Sequence, residues 1–314
     1  MSAKKIITIF GATGNQGGSI VQKFLSDPEL KDTWAVRGVT RDVSKDSSKK
    51  LAAQGAEVVA ADLNDKATLV KAMQGSDTVY AVTNYWEKMD MKLEEQQGRN
   101  LADAAKEAGV KHFIWSSLLN VTKLSNGKLS RVYHFDSKAN VEEYTRSLGI
   151  PATFLMLGYY MPNISGGNMS KQGDNWVLGL PIKADAAFPL ADPVDTGKYI
   201  KAIVQNKDAL LGKRFTASTE YLSPDGIVQA FKNVYPEAGK TATFAQLSKE
   251  QFYGIFEGKM PKHGIDEMYE NMLLLQEPGY YGGLPLEDSL KYVTDKLTTF
   301  EDHARNAKVW AELK

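Results

Sequence analysis

The segment VYHFDSK, residues 132–138, carries side chains suited to proton transfer. Many carbonyl reductases use a tyrosine as proton donor four residues before a lysine, but in this chain His134 occupies that position before Lys138. Residues four apart share one face of a helix, whereas Tyr133, five before the lysine, is turned about 140° around the axis. Tyr133 therefore does not stand in for the missing tyrosine.

His134 has two interpretations. An unperturbed imidazole titrates near neutral pH, so the ring can donate a proton to a substrate. It can equally orient a cofactor, or fix its own loop, without taking part in chemistry. Ser116, after the fifth predicted strand, and Lys138, as a ribose-binding lysine, would be the other two residues of a catalytic site. If the chain is a catalyst, its catalytic residues are therefore His134, Lys138 and Ser116.

A glycine-rich loop supplies the clearest binding motif. In IFGATGNQGGSI the glycines follow G-x-x-G-x-x-G between a predicted strand and a predicted helix. Gly11 permits the tight turn, Gly14 lets the backbone approach a pyrophosphate, and Gly17 lets the helix pack against the strand, while the helix N-terminus binds phosphate oxygens. A ligand-free turn is the alternative, but the position after a first strand favours a dinucleotide. The predicted contacts are Gly11, Ala12, Thr13, Gly14, Asn15, Gln16 and Gly17, with side-chain donors at Thr13, Asn15 and Gln16.

The end of the second predicted strand, GVTRD, indicates which dinucleotide binds. An NAD site usually carries an acidic residue there, which accepts from the ribose 2′-OH. This chain has Arg41 instead, followed by Lys45, and a guanidinium can bind a 2′-phosphate through two parallel hydrogen bonds. Asp42 could pair with Arg41 or accept from a ribose, and the basic residues could belong to a solvated loop. The pattern nevertheless favours NADP(H).

Two later strand ends add candidate contacts. Asp62, in AADLND, is placed to accept from the adenine amino group with Leu63 against the ring, although it could instead cap the next helix. In VTNYWEK, the residues placed to line the nicotinamide ribose are Thr83, Asn84 and Tyr85. Both segments would lie at the carboxyl edge of a parallel sheet, where ligands bind.

The elements that must position these residues alternate along the first half of the chain. Apolar runs predict strands at KIITIF, WAVRGVTR, EVVAAD, TVYAVTN, HFIWSS and ATFLML, with helical stripes between them. Strands alternating with helices imply right-handed βαβ units, so the predicted fold class is α/β, with a doubly wound parallel Rossmann sheet. We assign residues 1–157 to this domain.

The alternation breaks after residue 157. The segment YYMPNISGGNMSKQGDN is rich in Gly, Asn and Ser and is predicted to be a loop. NWVLGLP and KRFTAS are strand candidates, VDTGKYIKAIVQN and SPDGIVQAFKNVY are helix candidates, and residues 249–314 are predicted to be mostly helical. We assign residues 158–314 to a smaller α/β domain for a substrate or partner, with one late segment returning to the Rossmann sheet.

Composition argues against several classes of function. The 314 residues include 38 basic and 38 acidic side chains, so no net field favours nucleic acid or an anionic membrane. The chain has no cysteine, and its four histidines show no metal-ligand spacing, so neither a disulfide nor a metal is expected. No apolar run is long enough for a signal peptide or a membrane span, which favours a cytoplasmic protein.

Five segments together resemble the NmrA-like family, an atypical branch of the short-chain dehydrogenase/reductase fold. They are FGATGNQGGS, VTNYWE, HFDSK, VEEY and GIPATF. The resemblance covers nearly the whole chain and is sharpest over residues 1–165, and TNYWE followed by HFD-x-K is more specific than the glycine loop. The nearest resemblance is to NmrA-like family domain-containing proteins described as NADPH sensors.

This resemblance implies NADP bound between the glycine loop and the later strand ends. The residues that match the family's cofactor contacts are those of the loop, Arg41 and Lys45 for the phosphate, Asp62 and Leu63 for adenine, Thr83, Asn84 and Tyr85 for the ribose, Lys138 beside the nicotinamide, and Tyr160 and Asn163 of YYMPN. The chain departs from the family pattern at two positions: Gln96 stands where a lysine contacts the cofactor, and Met156 where an arginine is typical.

Two functions remain open from the sequence. The leading hypothesis is an NADP(H)-binding redox sensor without efficient catalysis, whose occupancy changes its association with itself as a homodimer or with a regulatory protein. The resemblance implies a zinc-finger transcription factor as that partner, and a nuclear as well as a cytoplasmic location. The alternative is an NADPH-dependent reductase of a small carbonyl, quinone or phenolic compound, as in the related aromatic ether and isoflavone reductases. The aromatic segments YYMPN and EPGYYGG would line a substrate cleft or a partner surface, or simply pack.

Overall fold

The computed structural model describes residues 3–313, and its first half alternates strands with helices. The strands are β1 (Lys5–Phe10), β2 (Trp34–Thr40), β3 (Glu57–Ala60), β4 (Thr78–Ala81), β5 (His112–Ser116) and β6 (Ala152–Leu157). The helices are α1 (Asn15–Ser26), α2 (Asp46–Ala53), α3 (Lys66–Met73), α4 (Met91–Glu107), α5 (Val121–Leu124) and α6 (Tyr133–Ser147), with a 3₁₀ turn at Tyr85–Glu87. All six predicted strands of this half are present.

The second half has shorter elements. Its strands are β7 (Tyr159–Tyr160), β8 (Met169–Gln172), β9 (Asn175–Leu180), β10 (Phe188–Ala191), β11 (Arg214–Ala217), β12 (Glu220–Leu222) and β13 (Thr243–Gln246). Its helices are α7 (Met161–Asn163), α8 (Thr196–Gln205), α9 (Lys207–Leu210), α10 (Pro224–Val234), α11 (Pro236–Gly239), α12 (Lys249–Phe256), α13 (Lys262–Leu274), α14 (Glu287–Leu290) and α15 (Phe300–Asn306). Short helical turns lie at Ile164–Asn168, Pro193–Asp195 and Lys308–Leu313.

Seven strands of residues 3–313 form one parallel sheet in the order β11-β6-β5-β4-β1-β2-β3. The chain moves outward from β1 to β3 in one direction and from β4 to β6 in the other, so the order reverses between β1 and β4. This is the doubly wound arrangement, and the predicted fold class is confirmed. Ligands of such sheets bind at the carboxyl ends of the strands beside the point of reversal.

Helices cover both faces of the sheet and bury its apolar side chains. On one face α1 and α8 pack together over a core that includes Ile7, Ile9 and Phe24. On the other face α3, α4 and α6 bury a core that includes Leu101 and Trp115. Because both faces are covered, the strands are mostly apolar rather than strictly alternating, in agreement with the apolar runs of the sequence.

The second half builds two small sheets, β12-β10-β7 and β13-β9-β8, around a third core. Helices α12 and α13 lie beside this core, over the carboxyl edge of the large sheet. Strand β11 is the exception, because it joins the large sheet beside β6. The parallel sheet therefore takes one strand from beyond residue 157.

The loop prediction for residues 159–175 is wrong over much of its length. The structure has β7, α7, a helical turn and β8 there, and β8 pairs with β9. The polar and glycine residues suggested a loop, but Met161, Ile164 and Met169 are buried in the core of the second half. These apolar side chains, spaced three to five residues apart, carried the signal for regular structure.

Among the described residues, no helix has both the length and the apolar character needed to cross a membrane. No cluster of three or more His, Cys, Asp or Glu side chains in the same part of the chain is arranged to hold a metal ion.

Candidate functional site

A cleft of 1430 Å³ runs along the carboxyl edge of the sheet, between the strand ends and helices α12 and α13. The predicted cofactor residues that line it are Gly11, Thr13, Gly14, Asn15, Gln16, Gly17, Arg41, Lys45, Asp62, Leu63, Thr83, Asn84, Tyr85, Lys138, Tyr160 and Asn163. The candidate catalytic residues Ser116 and His134 line it as well. Ala12 differs from the rest of the loop, because it is fully buried beneath it.

The glycine loop has the backbone geometry of a phosphate site. Gly11 has a φ of +65°, in the region that favours glycine, and its carbonyl accepts from the Gly14 N–H at 2.9 Å. A Cβ at Gly17 would lie 2.2 Å from the Gly11 carbonyl oxygen, so a side chain there is excluded. Gly14 caps α1 without a side-chain hydrogen bond. The first-turn N–H groups of α1 therefore point into the cleft without a competing side-chain cap.

The side chain of Gln16 is hydrogen-bonded within the protein. Its Nε2 donates to the Tyr160 hydroxyl at 2.6 Å, and its Oε1 accepts from Ser116 Oγ at 3.0 Å and from the Tyr80 hydroxyl. The side-chain donor that the sequence assigned to a phosphate is therefore directed at Tyr160, across the floor of the cleft. Burial raises the pKa of Tyr160 to about 12, so its hydroxyl stays protonated at physiological pH.

At the adenosine end, Arg41 faces an unexpected partner. Its Nη1 lies 2.6 Å from Oε1 of Glu87, in the turn after β4, and this contact raises the pKa of Arg41 and lowers that of Glu87. Arg41 remains 69% exposed, so the pair is weak and open to exchange. Asp42 bonds to the backbone and hydroxyl of Ser44 rather than to Arg41, which answers one alternative left open by the sequence.

Asp62 lies at the end of β3, where the adenine contact was predicted. Its Oδ1 accepts from the backbone N–H of Asn64 at 2.9 Å and from the Asn64 amide at 2.8 Å. The following helix, α3, is capped by Asp65, whose carboxylate accepts from Ala67 N–H at 3.0 Å. The alternative of Asp62 as a helix cap is therefore wrong, and Asp62 and Leu63 line the cleft.

Lys138 is held by a buried carboxylate that the sequence interpretation missed. Its ammonium lies 2.5 Å from Glu94 Oε1 and 2.9 Å from Thr83 Oγ1. Glu94 is 2% exposed and also accepts from Thr83 Oγ1 at 2.6 Å and from the Ser137 hydroxyl. Burial by itself would raise the pKa of Glu94, but Lys138 and the hydroxyls outweigh it and the pKa is lowered. Glu94 shares a face of α4 with the buried residues Gly98, Leu101 and Ala105, and an acid on that apolar stripe was the available signal.

His134 also has a distant carboxylate partner. Its Nδ1 lies 2.6 Å from Oε1 of Glu267 on α13, and the same oxygen accepts the His134 backbone N–H at 2.9 Å. Glu267 is fully buried. The imidazole packs beside Tyr85 and Trp86, with ring centroids 5.9 Å and 4.9 Å away. Burial, and secondly Glu267, raise the pKa of Tyr85, so this neighbour is neutral.

Beyond His134 the cleft continues into an apolar lobe formed by the second half of the chain. The residues of the apolar lobe are Phe252, Ile255 and Phe256 of α12, Met268 and Met272 of α13, and Tyr280. The Tyr280 hydroxyl donates to the Leu157 carbonyl at 3.1 Å, which fixes its ring. Asn271 also lines the cleft, and its buried Oδ1 meets no hydrogen-bonding partner among residues 3–313. The lobe thus combines an apolar wall with a free amide.

The two departures from the family pattern lie away from this geometry. Gln96 is exposed on α4, and its amide donates to Asn100 at 2.9 Å. Met156 is fully buried in β6, and its carbonyl accepts from the Tyr281 hydroxyl at 3.0 Å. Of the two tyrosines in EPGYYGG, Tyr280 therefore faces the cleft while Tyr281 anchors the loop to the sheet.

Comparison with known proteins agrees with this architecture. Residues 3–304 match the model of the NmrA-like family. An NmrA-like family domain-containing protein of Dictyostelium discoideum is 29% identical over 96% of this chain and 97% of its own, and an NmrA-like family domain-containing oxidoreductase of Malbranchea aurantiaca is 30% identical over 78% and 76%.

Two kinds of solved structure share the fold. NmrA, a negative transcriptional regulator solved in complex with NADP, has a TM-score of 0.81 at 22% identity and covers 98% of this chain and 96% of its own. The NADPH-dependent quinone oxidoreductase of Escherichia coli, solved with NADPH, has a TM-score of 0.75 at 22% identity and covers 96% and 99%. The fold is therefore found in a regulator and in a reductase.

Proposed function

Because the chain belongs to the NmrA-like family and its cleft extends past the strand ends into an apolar lobe, we propose that it is an NADPH-dependent reductase of a small, apolar carbonyl or quinone compound. The observation that carries this proposal is the junction between the two parts of the cleft. His134 lines the cleft there, in contact with Tyr85 and Trp86 of the segment after β4 and with Glu267 of α13, the helix that carries Met268 and Met272 of the apolar lobe.

The dinucleotide half fits NADP(H). The loop accepts only glycine at Gly17, α1 begins without a side-chain cap, and Arg41 and Lys45 stand where a 2′-phosphate would lie. The solved relatives bound to NADP and NADPH support the same assignment. Asp62 and Leu63 would hold the adenine, and Thr83, Asn84 and Tyr85 the nicotinamide ribose.

The chain's own residues supply binding, orientation and a proton. When bound, NADPH supplies the hydride that adds to the carbonyl carbon of the acceptor. The acceptor oxygen then takes up one proton, and His134 is placed to give it. The apolar lobe would exclude water from the acceptor. One hydride and one proton are consumed: they convert the C=O group of an aldehyde or ketone into an alcohol, or the two C=O groups of a quinone into the two O–H groups of a hydroquinone.

A redox sensor remains the second candidate, and a specific observation favours it. All three candidate catalytic side chains are engaged within the protein, since Ser116 donates to Gln16, Lys138 pairs with Glu94 and His134 Nδ1 contacts Glu267. A protein that only binds NADP(H) would keep such a site rigid. Sensing requires different cofactor affinities in two states, for instance free and bound to itself or to a zinc-finger transcription factor.

Turnover assays decide between the two. The decrease of NADPH absorbance is followed with a panel of quinones, aldehydes and ketones, while calorimetry measures NADPH binding in the same buffer. Saturable turnover that falls at least about a hundredfold in His134→Phe, with NADPH affinity retained, supports the reductase. Tight NADPH binding with no acceptor reduced above background supports the sensor.

A further inference from the structure

The histidine at the junction is oriented by a part of the chain that lies far from the dinucleotide site. Glu267 belongs to α13, 133 residues along the chain from His134, and one of its oxygens receives both the backbone N–H and Nδ1 of that histidine. A fully buried carboxylate is costly unless hydrogen bonds compensate it. Its other oxygen, Oε2, meets no hydrogen-bonding partner among residues 3–313, so the two contacts with His134, together with the neighbouring Tyr85 whose pKa Glu267 raises, carry that compensation.

We propose that Glu267 is a positioning residue for His134 in the reduction described above, and the inference rests on that proposed function. Glu267 holds the hydrogen on Nδ1, which turns Nε2 toward the cleft as the nitrogen that exchanges the proton. In the protonated ring Nε2–H faces the acceptor oxygen. After donation the ring is neutral with its hydrogen on Nδ1, and solvent restores the proton to Nε2.

The packing around the ring leaves little freedom for another orientation. The rings of Tyr85 and Trp86 pack at a tilt against the His134 imidazole. Phe135 contacts the imidazole edge-on, with ring centroids 4.9 Å apart. A half-turn about the Cβ–Cγ bond of His134 would break the 2.6 Å contact, and the buried Glu267 would lose one of the two hydrogen bonds that it receives from His134. The acidic helix of the second half thus completes a site whose other members belong to the first half.

The chain contains a matched control for this pair. His303 Nδ1 lies 2.7 Å from Asp192 Oδ2, both side chains are buried, and His303 Nε2 meets Ser165 Oγ at 3.1 Å. This second histidine–carboxylate pair ties α15 to the end of β10, Ser165 connects it to the turn before β8, and all three residues stand outside those that line the cleft. Loss of the His303–Asp192 pair should change the environment of His303 and leave the rate of reduction unchanged.

The test combines long-range ¹H–¹⁵N spectra of the histidines in the cofactor-free protein with steady-state kinetics. Four histidines are present, and His134→Phe identifies the signals of His134. We expect native His134 to carry its hydrogen on Nδ1, with a strongly deshielded proton. Glu267→Gln should move that proton upfield and lower kcat by about ten- to a hundredfold, with the NADPH dissociation constant unchanged, because a neutral amide replaces the charged acceptor that holds the hydrogen on Nδ1. Asp192→Asn should move only the signal of His303 and leave kcat unchanged.

The outcomes separate the inference from the function on which it rests. If the native protein reduces no acceptor, the reductase proposal fails, while the native spectrum still decides whether Glu267 sets the tautomer. If turnover is present but Glu267→Gln matches Asp192→Asn in kcat, the positioning role is overturned. If Glu267→Gln does not fold, the native spectrum decides, because a His134 that carries its hydrogen on Nε2 contradicts the inference.

Discussion

The ammonium of Lys138 lies 2.5 Å from the carboxylate of Glu94, and both side chains are buried at the edge of the cleft. Thr83 bonds to both of them, which joins the end of β4 to α4 and α6. Lys138 lines the cleft with its charge already balanced. Its three N–H groups donate to Glu94 Oε1, Thr83 Oγ1 and the Thr83 carbonyl, so a cofactor hydroxyl would have to replace one of these acceptors.

Removing Lys138 should destabilise the fold as well as weaken cofactor binding. In Lys138→Met the buried Glu94 carboxylate loses its counter-charge, so the free energy of unfolding should fall by about 3–5 kcal/mol. The double variant Lys138→Met/Glu94→Leu should recover most of that loss, because no buried charge remains. Urea denaturation of the native protein and the two variants measures the loss of stability and its recovery. A single variant within about 1 kcal/mol of the native protein would show that the pair is not coupled as the geometry indicates.

The preference for NADP(H) should depend on two residues in opposite directions. Arg41→Ala removes a charge-assisted contact to the 2′-phosphate, worth about 1.5–3 kcal/mol, so the ratio of NADPH to NADH affinity should fall about ten- to a hundredfold. Glu87→Gln frees Arg41 and removes a negative charge, so the ratio should rise by a few-fold at most, as expected for an exposed pair. Calorimetry with both cofactors measures the ratios. Equal affinities in the native protein, or a Glu87→Gln variant that prefers NADH, would contradict the assignment.

The fold and the dinucleotide half of the cleft were predictable because their signals are local. Apolar runs and helical stripes predict the parallel sheet, and a parallel sheet brings the carboxyl ends of all its strands to one edge. The loop glycines, Arg41, Asp62 and Thr83 were therefore placed together correctly without knowledge of any tertiary contact. The sequence did not predict the hydrogen bond that the Gln16 side chain donates to Tyr160 in β7, because the two residues are 144 positions apart.

The carboxylates that pair with the cleft's basic residues were not predictable. Glu94, Glu87 and Glu267 lie 44, 46 and 133 residues from their partners, and although the apolar stripe of α4 marks Glu94 as buried, no local pattern identifies the basic residue with which each carboxylate pairs. Sequence patterns report what one element prefers, not which distant element will cover it. The apolar lobe was missed for the same reason.

Gly17 should be the least replaceable residue of the loop. An alanine Cβ would lie 2.2 Å from the Gly11 carbonyl oxygen, and both atoms belong to the backbone framework that holds the phosphate site. Gly17→Ala should lower the free energy of unfolding by about 1–3 kcal/mol and abolish measurable NADPH binding. Gly18→Ala is the control, because its Cβ would meet the nearest atom, Ala12 O, at an ordinary 3.6 Å. Equal NADPH affinities of the two variants would contradict the close approach of α1 and β1.

Acid should destabilise the protein through His112. This histidine is fully buried in β5, and its Nε2 meets Thr153 Oγ1 at 2.9 Å. Burial, and secondly Lys207, lower the pKa of His112 to about 4. The unfolded chain therefore binds this proton at a higher pH than the folded protein does. The contribution of the neutral His112 to the free energy of unfolding is therefore fully present above a pH of about 6.5. The free energy of unfolding falls as the pH drops toward 4, by up to about 3 kcal/mol.

The His112→Gln variant isolates this contribution, since it keeps a hydrogen-bonding group near Thr153 but does not titrate. Urea denaturation of both proteins between pH 7 and about pH 4.5 gives the two pH dependences. The native protein should lose more stability than the variant over this range. Parallel curves would show that His112 takes up its proton equally in both states.

Filling the apolar lobe should separate acceptor binding from cofactor binding. Met268 lies on the face of α13 that lines the lobe, so Met268→Trp adds bulk where a substrate would lie. The KM for the acceptor should rise more than about tenfold, because small pockets lose their ligands when side-chain volume replaces them, while the NADPH dissociation constant should stay within about twofold. His263→Trp adds the same ring at an exposed position in the first turn of α13 and should change neither constant. If Met268→Trp weakens NADPH as much as the acceptor, the lobe belongs to the cofactor site; if it changes nothing, the acceptor binds elsewhere.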